Sequence, residues 1–197
     1  MKKTGMSTEK LVLGAILTAL VVLLQYMGSF VKLGPFSVSL VLIPIVIGAA
    51  TCGLGVGAWL GLVFGITVLL SGDAAMFLAV NVPGTIATVI VKGVLCGFVA
   101  AVVYKAVYKL CSAKLGKWGQ YASVIAAAII CPVINTGVFL AGCYFFFMEK
   151  VIEWAGSDSV GHYIIFGLVG GNFVFELITN MILSPAVSRL LNIKNKL

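Results

Sequence analysis

Apolar residues run through this sequence in six long stretches, separated by short polar segments. Crossing ~30 Å of hydrocarbon takes about 20 apolar residues in helical form. The stretches predict helices over residues 11–31, 36–51, 54–71, 84–108, 120–148 and 163–191 of a single domain, 1–197. The second is short and carries Pro44. Segment 72–83, GDAAMFLAVNVP, is apolar yet too short to span. Two arrangements fit it: a cover over one face of the bundle, or an N-terminal extension of the fourth helix. Segment 150–161 is polar and reads as a loop. There is no internal repeat. The first apolar run is too long for a cleavable leader and has no A-x-A site behind it, so it is expected to stay as a helix.

Composition sharpens this into an all-α, polytopic membrane protein. Of its residues 61% are hydrophobic and 10% charged, against about 45–50% and roughly 25% in soluble domains. The formal charge is +7, but the basic residues flank apolar runs instead of forming a stripe, so no nucleic acid is expected. Lys2, Lys3, Lys10, Lys105, Lys109, Lys114, Lys117, Arg189, Lys194 and Lys196 fall on one side of the predicted bundle. Only Lys32 and Lys150 fall on the other, with Asp73, Glu149, Glu153 and Asp158. Short basic loops stay in the cytoplasm, which predicts both termini inside and an even helix count.

Polar residues within apolar helices are costly in lipid and face a cavity or a partner. In the fourth helix Thr85, Thr88 and Lys92 fall within roughly 60° of one another at about 100° per residue. In the last helix Asn172, Glu176, Thr179 and Asn180 share a face of about 100° by the same arithmetic. The fifth carries Asn135 and Thr136 just after Pro132, which removes a backbone donor, and Gly170-Gly171 weakens the sixth in a similar way. Lys92 lies roughly 13 Å, and Glu176 roughly 20 Å, below the outer ends of their helices. Three roles stay open: a Lys92–Glu176 ion pair that locks the bundle, a polar ligand pocket among the last three helices, or a proton relay, which no further carboxylates or histidines continue. The pocket candidates are Thr85, Thr88, Lys92, Asn135, Thr136, Asn172, Glu176 and Asn180, with Phe77, Phe139, Phe173 and Phe175 as flanking aromatics.

Other chemistry is poorly provided for. Five cysteines (Cys52, Cys96, Cys111, Cys131, Cys143) form no C-x-x-C pair and the lone histidine is His162, so neither a metal nor a cofactor is expected. No catalytic constellation is present, and no G-x-x-x-x-G-K-[ST] loop exists to bind nucleotide. The third helix carries Gly57, Gly61 and Gly65, a doubled G-x-x-x-G that lets a second backbone approach closely. The first carries Ala15-x-x-x-Ala19 beside Gly14-x-x-x-Thr18.

Ala15-Ile16-Leu17-Thr18-Ala19, the stretch FSVSLVLIPIVIG at 36–48 and the Gly-rich third helix, taken in that order, resemble the substrate-binding S components of energy-coupling factor (ECF) transporters. The likeness covers nearly the whole chain. It implies a non-enzymatic binding protein in the plasma membrane of a bacterial-type cell. Such a protein takes a vitamin or related micronutrient, of riboflavin- or pantothenate-like class, from outside. It works with a membrane T component and two cytoplasmic ATPases, and Ala15 and Ala19 would meet the T component. The competing reading, a stand-alone secondary transporter or channel, more often needs repeats and midplane carboxylates that this sequence lacks.

Overall fold

The computed structural model describes residues 7–30, 32–33, 36–37, 40–115 and 117–194. Lys2, Lys3, Val31, residues 38–39 and Lys196, on which the sequence reading drew, lie outside them. The elements are α1 (Thr8–Ser29), β1 (Lys32–Leu33), β2 (Phe36–Ser37), α2 (Leu42–Cys52), α3 (Leu54–Leu70), α4 (Ala75–Leu78), α5 (Val82–Leu115), α6 (Lys117–Gly142), α7 (Met148–Ala155), α8 (Val160–His162) and α9 (Gly170–Lys194). A π-helical segment, Cys143–Phe147, joins α6 to α7, and a second, Tyr163–Val169, joins α8 to α9. Six helical columns result.

Four stretches are long and apolar enough to cross a membrane: Thr8–Ser29, Val82–Cys111, Trp118–Ala155 and Val160–Arg189. The helices Leu42–Cys52 and Leu54–Leu70 are apolar but shorter, reaching about 16 and 25 Å at 1.5 Å per residue.

Several boundaries differ from the apolar pattern, and the fourth helix runs on to Leu115 instead of 108. The second helix begins at Leu42 instead of residue 36, because Phe36–Ser37 pairs antiparallel with Lys32–Leu33. The sequence between the strands contains Gly34-Pro35, a turn pair that opposes helix. The fifth column continues past 148 to Ala155. It does so because Val151 and Ala155 are buried, Val151 in a small apolar cluster that also holds Phe77, Phe147 and Leu168.

The bundle is organised by a seam of small residues between α3 and α5. A Cβ added at Gly61 would collide with the Gly93 carbonyl oxygen, and one at Gly93 with the Gly61 oxygen. Gly57 and Gly97 stand in the same relation. The doubled G-x-x-x-G of α3 therefore meets Gly93-x-x-x-Gly97 of α5 backbone to backbone. Close packing of this kind is what holds helices together where lipid offers no hydrophobic drive. Leu17, Val21, Ile45, Leu60 and Phe64 pack around the seam as the main core.

The two ends of the bundle are distinct. Cys52 Sγ lies 3.8 Å from the Lys10 carbonyl oxygen. A Cβ at Gly53, whose φ of 95° turns α2 into α3, would stand 3.7 Å from Lys105 Nζ. The start of α1, the α2–α3 turn and the later part of α5 thus share one end. At the other, Gln25 of α1 donates to Asp73, and Ser71 Oγ donates to Asp73 at 3.2 Å.

Candidate substrate cavity

The cavity lies toward the end marked by Gln25 and Asp73. It encloses about 590 Å³, mouth included, between α1, α3, the α4 segment, α5, α6 and α9. On α5, Thr85, Thr88, Val89 and Lys92 face it. Thr85 donates its hydroxyl to the Asn81 carbonyl at 2.7 Å, and Asn81 Oδ1 accepts from the Gly84 N–H at 3.0 Å, fixing the helix start. One turn on, Thr88 is buried and its Oγ1 has no hydrogen-bond partner.

The α3–α5 seam sets Lys92 in place, since its neighbour Gly93 is pressed onto α3. Its ammonium sits 5.4 Å from the Phe64 ring centroid and 5.7 Å from that of Phe139, a cation–π arrangement. Lys150 and Glu153 form an ion pair at the surface, and no contact within 4.0 Å joins Lys92 to Glu176. The Lys92–Glu176 lock is not formed.

Glu176 is held otherwise. It is 1% exposed, and its carboxyl oxygens accept from Asn172 Nδ2 at 3.0 Å and Asn135 Nδ2 at 3.5 Å. Turning both amide nitrogens toward an acceptor-only group leaves both amide oxygens pointing elsewhere. Asn135 Oδ1 and Asn172 Oδ1 are buried and lack partners. Buried polar atoms are almost always satisfied, so three orphans around one cavity are a signature of the site. One π-helical segment borders it through Phe147, and Leu168 and Val169 of the other line an adjoining smaller pocket. Such segments occur often at functional sites.

The remaining candidates sit elsewhere. Thr136 lines a smaller side pocket with Leu168, Val169 and Phe173, which shares Lys92, Asn135, Phe139 and Asn172 with the main cavity. Asn180 is buried one turn beyond Glu176 and lines neither. Phe175 lines neither as well. His162 is exposed at the end of α8. Among the described residues no group of three or more potential metal ligands occurs, and all five cysteines are free, Cys111 alone being less than buried.

Several lining residues were not among the sequence candidates. Gln25 was legible as the lone amide in α1, but nothing in the sequence tied it to Asp73, 48 positions away. Phe64, Val68 and Ala74 carry no polar signal at all. Segment 72–83 supplies Asp73, Ala74 and Phe77 to the wall and so covers one side of the cavity. Phe77 meets Phe139, Phe147 and Trp154 edge-on at centroid distances of 5.4, 5.0 and 5.6 Å.

A family model described as "ECF transporter, substrate-specific component" matches residues 9–191. The chain belongs to this family. No curated protein and no solved structure matches it. The chain is therefore a membrane S component, the substrate-binding subunit of a transporter and not an enzyme. Membership implies a small-molecule substrate, a membrane T component and ATPases.

On this S component, Ala15 and Ala19 are exposed on α1 while Gly14 is buried, with Val56 as its nearest neighbour. Thr18 donates to the Gly14 carbonyl at 2.8 Å and accepts from Trp59 Nε1 at 3.1 Å. The two small-residue patterns of α1 thus divide: Gly14 and Thr18 look inward to α3, Ala15 and Ala19 outward.

Proposed function

We propose that this S component captures a vitamin or related micronutrient, of riboflavin- or pantothenate-like class, from outside the cell and delivers it inward with a T component and two ATPases. The observation that carries the reading is the convergence of three partnerless buried polar atoms, Thr88 Oγ1, Asn135 Oδ1 and Asn172 Oδ1, on one cavity. An empty site leaves each of them without a hydrogen bond, at about 1–3 kcal/mol apiece. A bound ligand supplies the missing partners.

The membrane is the plasma membrane of a bacterial-type cell, with both termini inside. Exposed Lys105 and Lys109 sit at the end shared by Lys10 and the α2–α3 turn, in keeping with basic segments staying in the cytoplasm. The cavity, at the other end, then opens outward. Ala15 and Ala19 form part of the surface that meets the T component.

The test is native mass spectrometry of the detergent-purified chain from its host, followed by thermal-shift assays against a vitamin panel. One tightly held mass matching a vitamin is the expected result. A protein that carries nothing and responds to no vitamin overturns the proposal.

A further inference from the structure

Building on the binding role above, we infer that the substrate is a small carboxylic acid that also bears hydroxyl or amide N–H groups, bound with its acid at Lys92 and Thr88 and its donors at Asn135 and Asn172.

The cavity has two chemically different walls. On α5, Lys92 and Thr88 are one turn apart on the same face and both line the space. Lysine has only donors, and a hydroxyl donates one proton. Thr88 Oγ1 has no partner, and no carboxylate of the described residues lies within 4.0 Å of the Lys92 ammonium. The rings of Phe64 and Phe139 screen that ammonium without neutralising it at contact. A charge held in low dielectric calls for a partner of opposite sign.

Glu176 makes no contact with that ammonium within 4.0 Å. Both of its oxygens are already held by Asn135 and Asn172. It acts instead on the facing wall. A carboxyl that accepts from an amide polarises it and makes the amide oxygen a better acceptor. Asn135 Oδ1 and Asn172 Oδ1 are those oxygens, buried and unmatched. They call for N–H or O–H donors and oppose a ligand acceptor. Asp73 also lines the cavity, engaged by Gln25 and Ser71.

Three acid and neutral pairs test this on the intact purified S component by isothermal titration or thermal shift. They are pantothenate and panthenol, biotin and its methyl ester, and nicotinate and nicotinamide, with riboflavin as a neutral flat control and thiamine as a cation. The mass that co-purifies from the host is identified alongside. The expected result is that the co-purified molecule is an acid. The binding acid of the panel should also exceed its neutral partner by at least about tenfold. Lys92→Gln should erase that preference while the wild-type melting profile without ligand is retained. The inference fails if a neutral or cationic compound binds as well as or better than the acids, in which case the binding role stands. It also fails if Lys92→Gln keeps the full acid preference. A protein that holds no small molecule and responds to none overturns the binding role itself. Should Lys92→Gln not fold, the acid-to-neutral ratio of the wild type decides alone.

Discussion

Asn172 donates its amide to Glu176, one helical turn away, at 3.0 Å, and its own oxygen is left buried without a partner. This single contact ties the fixed interior of α9 to the cavity. If the oxygen is completed by the ligand, Asn172→Ala weakens binding by about 1–3 kcal/mol, the cost of an unmade buried hydrogen bond. Titration calorimetry with the identified ligand reads this directly. Unchanged affinity would place the orphan oxygen outside the binding site.

Glu176→Gln keeps the shape of that side chain and removes its charge. One of the two asparagine amides then faces an N–H₂ group instead of an oxygen, and the long-range counter-charge to Lys92 is gone. The expected outcome is a loss of ligand affinity of about tenfold or more, since hydrogen bonds to charged groups contribute about 1.5–3 kcal/mol. A variant that binds normally would show that Glu176 serves the fold alone.

The α3–α5 seam predicts a stability effect independent of ligand. Gly61→Ala places a methyl group into the Gly93 carbonyl oxygen. Because both partners are backbone, relief requires moving a helix. Overpacking of this kind costs about 1–3 kcal/mol, a fall of roughly 2–12 °C in melting temperature for a chain of this size. Gly55→Ala on the same helix has nothing within 4 Å of the new methyl and should melt as the wild type does.

Phe77 is 4% exposed and packs edge-on against three aromatic rings at the cavity wall. Phe77→Ala removes the largest apolar piece of the covering segment. Ligand dissociation should speed up measurably in stopped-flow displacement, and stability should fall by about 3–5 kcal/mol. Unaltered dissociation would mean that residues 72–83 do not restrain the ligand.

Ala15 and Ala19 face outward, away from the cavity. Ala15→Trp and Ala19→Trp should therefore block co-purification with the T component and leave ligand affinity intact. Loss of ligand binding with retained complex formation would assign α1 the opposite role.

The sequence by itself determined that this is an all-α membrane protein, where its six apolar columns run, and which of its polar residues are out of place in lipid. Those properties are local: a helix must satisfy its own backbone in hydrocarbon, and a polar side chain is costly there whatever its neighbours. Hence Thr85, Thr88, Lys92, Asn135, Asn172 and Glu176, picked from helical faces, line one cavity. The periodicity could not say how the faces meet. Only the tertiary structure decided that Glu176 takes both asparagine amides and leaves Lys92 open, and that Asn180 stays one turn too far along. It also brought Gln25, Phe64 and Phe77, distant in sequence, into the wall. The register of α3 on α5, set by glycine backbones in contact, decides which polar groups end up within reach of one another, and that register is a property of the pair, absent from either helix alone.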